Sequence, residues 1–378
     1  MTTTALTGAR ILVDGQWRNG YVAIIAHGRV VAIENDVPTG ATVQRLDSGM
    51  LVPGFIDTQV NGGGGVLFND RPTVDGIAVI AAAHRRFGTT ALLPTLISDD
   101  LQVVRAAMRA VDDAIVAGVP GVVGIHIEGP FLNRGKHGIH DPARFRTLDD
   151  AAITLLSSLR HGKTLVTLAP EEAPAGAIRA LVENGVTVSA GHSLATYDNM
   201  ARGIEEGMRG VTHLFNAMTQ MEGRAPGVVG AALAHDLTAG IIVDGHHVHP
   251  ASLRAAYRAK GPSALMLVTD AMPTVGSSMG EFRIGDTVIT ATDGALRGAN
   301  GTLAGSTLDM ASAVRNATSM MSVDVATACQ MASQTPAAFL GLSATHGQIA
   351  PGYRADLVHL DDACHVRSTW IGGMHCLV

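Results

Sequence analysis

The chain has 378 residues, 47% of them hydrophobic, enough for one large domain with a small appendage. Charged residues make up 16%, and the 44 glycines suit an α/β protein with buried parallel strands rather than a disordered chain. The formal net charge of −6 excludes the basic face that a nucleic-acid partner needs, and no apolar run approaches the ~18 residues that span a bilayer.

Residues 5–49 alternate as short strands, with Asp14-Gly15 and His27-Gly28 as turn signals, and read as a β-meander. From residue 51 the texture changes to short β-type runs at 51–57, 122–127, 186–190, 210–212, 240–243 and 265–269. Segments competent for helix lie among them at 74–87, 101–117, 175–183, 195–207 and 250–260. A hairpin-like, β-rich insertion containing Asp293-Gly294 interrupts this alternation near 281–297, and helices resume from 307 to 341. The stretch from Gly347 onward has the texture of the N-terminus, so the two ends are expected to pair. The predicted architecture is a (β/α)8 barrel over residues 50–344 and a small β-sandwich built from 1–49 and 345–378. Met1-Thr-Thr-Thr4 lacks a positive leader-type region, and Cys329, Cys364 and Cys376 have no metal-type spacing, so a cytoplasmic setting is expected.

Six groups able to bind a metal or move a proton, Gln59, Glu128, His192, His213, His247 and Asp270, each fall just after one of these runs. Barrel enzymes place their active-site groups at such strand ends, and the set points to metal-assisted hydrolysis. Glu128 ends an apolar run that Gly129-Pro130 terminates, a poor place for a solvated carboxylate, although a salt-bridged Glu at the barrel end is the plain alternative. His192 and His213 follow two further runs, and each alone could be a hydrogen-bonded core histidine. Two imidazoles and one carboxylate on three strand ends form a typical catalytic metal set. With the thiols uninvolved, zinc leads, and cobalt, manganese and iron tolerate the same ligands. Asp270 ends the last run and suits acid–base work on water and a leaving group, or alternatively the orienting of a ligand.

Several motifs together resemble the N-acetylglucosamine-6-phosphate deacetylases of the amidohydrolase superfamily. They are Pro53-Gly-Phe-Ile-Asp-Thr-Gln59, His126-Ile-Glu-Gly-Pro-Phe131, Ala190-Gly-His-Ser193, Thr212-His-Leu-Phe-Asn-Ala-Met218, Asp244-Gly-His-His-Val248 and Val268-Thr-Asp-Ala271. The resemblance implies Glu128, His192 and His213 as ligands of one divalent metal ion per subunit and Asp270 as the acid/base. It implies Asn216, the Ala217 N–H and Arg224 as phosphate contacts, and His247 as a substrate contact reaching a neighbouring subunit's site, with His246 and His249 as nearby alternatives. His140 would polarise the acetamide carbonyl, and Leu303 would line the sugar. Without the resemblance, Arg224 would read as a solvated loop charge. Gln59 and Asn61 stand where many amidohydrolases carry two histidines, so Gln59 would touch the metal through water at most. The resemblance thus implies a homodimer with a shared site, deacetylating N-acetyl-D-glucosamine 6-phosphate. The rivals are a deacetylase for the galactosamine epimer or a sulfated sugar, and a catalytically inactive barrel used as a scaffold.

Overall fold

In the computed structural model, which describes residues 3–377, eight parallel strands form one sheet in sequence order. They are β1 (Phe55–Val60), β2 (Thr89–Ile97), β3 (Gly124–Glu128), β4 (Lys163–Leu168), β5 (Thr187–Ala190), β6 (Gly210–Val211), β7 (Thr238–Ile241) and β8 (Leu265–Leu267). Nearly every residue in them is buried, which is why they read as apolar runs rather than alternating ones. The ring closes where Asp270 N–H donates to Gln59 O at 3.0 Å and Val60 bridges Ala271 in parallel.

A helix follows each strand: α1 (Val74–Arg85), α2 (Leu101–Val116), α3 (Asp150–Leu156), α4 (Ala177–Glu183), α5 (Tyr197–Glu205), α6 (Gly227–Ala234), α7 (Pro250–Lys260) and, after the insertion, α8 (Met310–Asn316). Helix α2 shows how they attach. Val104, Ala107, Met108, Val111 and Ala114 fall on one stripe and are buried against the barrel. The starts are set by side-chain caps: Thr73 accepts from Gly76 N, Asp149 from Ala152 N, and Thr196 with Asn199 forms a reciprocal capping box. Among the described residues no helix is long and apolar enough to cross a membrane.

The run read as one strand from 51 to 57 divides at Gly54. Met50–Pro53 pairs antiparallel with Leu357–Leu360 in a six-stranded sheet of the chain ends, and the barrel begins only at Phe55. A second, four-stranded sheet of Thr4–Thr7, Val22–Ala26, Arg29–Glu34 and Thr42–Arg45 lies against it. Their shared core holds Leu6, Ile11, Leu51, Leu357 and the fully buried Trp370, residues from both ends of the chain. The expected hairpin insertion is larger than its sequence signal. Four antiparallel strands run from Glu281–Ile284 through Thr287–Thr292 and Ala295–Gly298 to Leu303–Ser306. Its last strand is fastened to the barrel, with Ser306 N–H donating to Asp270 O at 2.9 Å.

Candidate active site

A cavity of about 430 Å³ opens at the C-terminal ends of the strands. Glu128, His140, His192, His213, Asn216, Ala217, His247, Asp270 and Leu303, all picked out from the sequence, line it. Asn61, Lys136, Met272, Asn300 and Thr302 line it as well. The backbone is bent to aim these groups. His192, His213, Ala217 and Asp270 all have left-handed φ, at 48°, 33°, 49° and 53°. Such non-glycine conformations cluster at functional sites, held by their surroundings.

Three of the groups converge. Glu128 Oε1 lies 3.1 Å from His192 Nε2 and 2.9 Å from His213 Nε2, and the two Nε2 atoms are 3.0 Å apart. His192 Nδ1 faces the Lys136 carbonyl at 2.8 Å, so it carries the ring proton and leaves Nε2 as a lone pair. Packing an anionic oxygen and two imidazole nitrogens this closely, all nearly out of reach of solvent, suits a shared divalent cation better than protons alone.

Donor atoms of Glu128, His140 and His192 also lie within 4.8 Å of one another, close enough to share a metal ion. Hydrogen bonding separates His140 from that role. The Ser98 N–H donates to His140 Nδ1 at 3.2 Å, and the Ser98 hydroxyl is 2.8 Å from the same atom. Nδ1 is therefore an acceptor, and the proton of the neutral ring sits on Nε2. Burial, reinforced by the neighbouring histidines, holds His140 well below the usual imidazole range, so it stays neutral and donates. His213 Nε2, 2.9 Å from Glu128 Oε1, is thus the better placed third donor.

Asp270 sits beside this cluster, its Oδ1 accepting from Asn61 Nδ2 at 2.7 Å and Gln59 Nε2 at 3.1 Å. The same Gln59 amide donates to Glu128 Oε2 at 3.0 Å, so Gln59 bridges two carboxylates and does not itself line the cavity. Burial raises the Asp270 pKa to about 6, with the Glu128 charge adding to it, against the opposing pull of His213 and His247. A carboxyl poised there can take and return a proton near neutral pH.

His247 lines the cavity of its own chain, where Nδ1 donates to Asp244 Oδ2 at 2.6 Å. Burial opposes charge on Asp244, yet the bonds from His247 and His246 hold its pKa down to about 2. His246 is exposed and His249 caps α7, so His247 alone of the three faces the cavity. Asn216 donates its amide to the carbonyls of His213 and Leu214 at 3.1 and 3.3 Å, which stiffens the turn presenting Ala217. Arg224 is exposed, pairs with no carboxylate among the described residues, and does not line this cavity. Lys136 and Ser98 were not legible in the sequence because Lys136 acts through its carbonyl, and Ser98 meets His140 only across folded loops, 42 residues apart in the chain. Asp57, buried and holding Thr269 just before Asp270, was read only as part of a motif.

A closed parallel barrel with imidazoles and carboxylates gathered at its strand ends defines the class of barrel hydrolases able to hold a metal ion. The chain belongs to the amidohydrolase family, whose model matches residues 50–375, and within it to the amino-sugar 6-phosphate deacetylases. It is 45% identical over 371 residues to an N-acetylgalactosamine-6-phosphate deacetylase of Shewanella sp. (strain ANA-3), covering 97% of this chain and 94% of that one. It is 36% identical over 390 residues to the N-acetylglucosamine-6-phosphate deacetylase of Homo sapiens, covering 97% and 92%. The crystal structure of N-acetylglucosamine-6-phosphate deacetylase from Pasteurella multocida superposes with a TM-score of 0.96 at 32% identity, covering all of both chains.

Proposed function

We propose that this protein is a metal-dependent deacetylase that hydrolyses N-acetyl-D-glucosamine 6-phosphate to D-glucosamine 6-phosphate and acetate, in the breakdown and recycling of cell-wall amino sugars. The observation that carries the reading is the convergence of Glu128, His192 and His213 beside Asp270, a carboxyl tuned to about 6. Glu128, His192 and His213 would hold one divalent ion, zinc first, with cobalt, manganese and iron as alternatives. Bound there, such an ion supplies Lewis acidity toward a carbonyl and lowers the pKa of water toward ~7.

The chain's own groups supply the rest. Asp270 accepts a proton from the water that attacks the acetamide carbon, while Gln59 and Asn61 fix its orientation. His140 donates its Nε2 proton as a hydrogen bond to the acetamide oxygen, where negative charge develops. Asp270 then returns its proton to the amine nitrogen as the C–N bond breaks, leaving acetate and the free amino sugar. The Ala217 N–H, Asn216 and His247, which line the cavity, are assigned to the sugar phosphate, and Leu303, which also lines it, to the ring. Arg224 is assigned to the phosphate of a neighbouring subunit's site. Its exposure, along with that of Met221 three residues before it, supports a homodimer in which two chains complete each site. Segments 3–53 and 345–377 are assigned to the sandwich, 55–344 to the barrel with its insertion, and a cytoplasmic setting fits this metabolic role.

The galactosamine epimer is a second reading, favoured by the 45% identity to the Shewanella enzyme named for it. Comparing kcat/KM on the two 6-phosphates decides between them. A purified, zinc-loaded protein that releases acetate from neither sugar would overturn both readings and leave the inactive scaffold.

A further inference from the structure

Strand β4 contributes no side chain to the cavity, yet the carboxylates just beyond it, Glu171 and Glu172, reach sideways to the loops of the flanking strands. Glu171 accepts from both ends of the turn that follows His192. Its Oε2 takes the Ser193 hydroxyl at 2.6 Å, and its Oε1 takes the Leu194 N–H at 2.5 Å. Ser193 is fully buried and passes the restraint on in two directions. Its hydroxyl oxygen accepts Ala195 N–H at 2.9 Å, and its own N–H donates to Ala217 O at 3.0 Å. His192, immediately before, has the left-handed φ of 48° that an L residue keeps only where its surroundings impose it. Glu171 forms no ion pair among the described residues, so both oxygens serve this turn alone. Two short bonds to one carboxylate are charge-assisted and stronger than neutral ones.

We infer that Glu171 is a positioning residue: it locks the turn after His192 so that Nε2 stays aimed at Glu128 and His213, and through Ser193 it couples that turn to the segment carrying Ala217. The inference rests on the metal-site reading above. The Lys136 carbonyl fixes the rotation of the His192 ring, and Glu171 fixes the backbone it hangs from. Glu172 is the internal control, being exposed and bound only to the Asn133 amide at 2.7 Å.

The test is zinc affinity of the metal-free protein, read by competition with a chelating dye. Wild type should take up one zinc per chain. Glu171→Ala should weaken that affinity by about 10–100-fold, the range for losing a partner behind a ligand. Glu171→Gln, which keeps one acceptor, should fall between, and Glu172→Ala should match wild type. Raising zinc above the weakened Kd should restore the kcat of Glu171→Ala, a rescue that general structural damage would not permit. Its KM for the sugar phosphate should stay elevated, because the Ala217 segment has lost its tether. Should Glu171→Ala not fold, Glu171→Gln carries the test alone. Wild-type zinc affinity in the folded Glu171 variants, or lost kcat that saturating zinc leaves unrepaired, overturns the inference while the metal site stands. A wild-type protein that binds no zinc overturns the metal-site reading and this inference with it.

Discussion

Asp270 stands between two amide donors, so Asp270→Asn keeps an acceptor for Gln59 and Asn61 while losing the ability to take a proton. The variant should bind metal normally and lose at least about 10²-fold in kcat, the usual scale for a missing acid–base group. Its pH dependence follows from the same burial. With burial raising the pKa to about 6, the anionic base form is lost as pH falls through that value, so kcat/KM of the metal-loaded protein should drop on the acid side with a midpoint no higher than about 6. A bound divalent cation favours the anion and moves that limb lower, never higher. A limb centred above about 7 would take Asp270 out of the mechanism. The ligand assignment separates by metal content. His192→Ala and His213→Ala should each lose most bound metal, whereas His140→Ala should keep it and lose turnover, because His140 Nδ1 already accepts from Ser98. Full metal in the His213 variant and none in the His140 variant would reverse that choice. Glu128, His192 and His213 were legible in the sequence because each ends a buried apolar run where a polar side chain needs a reason. The tautomers that separate His192 from His140 come from the Lys136 carbonyl and from Ser98, and those contacts exist only once the loops have folded.

The same divide holds for whole elements. Strands β2 and β4 end without a metal-binding or proton-moving group inside them, so nothing marked them among the βα units, although they are buried like the rest. Helix α6, Gly-Val-Val-Gly-Ala-Ala-Leu-Ala, has no polar face to give a helical period and was missed for that reason. The insertion was visible as a hairpin, but the strand that matters most to the site, Leu303–Ser306, is the one that docks on the barrel. Gly305 permits that docking. It has φ 63°, and a Cβ there would lie 2.8 Å from Asp270 O and 2.7 Å from the Met272 side chain. Gly305→Ala should therefore cost about 1–3 kcal/mol in backbone strain alone. The displacement should fall on Asp270, lowering kcat as well as Tm. A variant with wild-type kcat and Tm would show that the insertion does not set the Asp270 position.

At the scale of the assembly, Arg224 offers the sharpest test. Arg224→Ala should cost about 10–100-fold in kcat/KM on the 6-phosphate, the worth of one charge-assisted bond, and far less on the unphosphorylated sugar. If Arg224 serves the neighbouring subunit, unfolding and refolding a mixture of Arg224→Ala and Asp270→Asn chains should regain activity. Each hybrid dimer then holds one site with both residues intact. No recovery, with hybrid dimers demonstrated by mass, would place Arg224 in its own chain's site. The pairing of Met50–Pro53 with Leu357–Leu360 sets a constraint of another kind, one of timing. During synthesis the first strands leave the ribosome early, but the strand that covers Leu51 is made only after the whole barrel. At roughly 5–20 residues per second the nascent chain carries that uncovered apolar edge while the entire barrel is translated. Leu357–Leu360 is thus a latch on strands made long before it, and a message cut short before residue 357 would yield a barrel whose Met50–Pro53 strand never finds that cover.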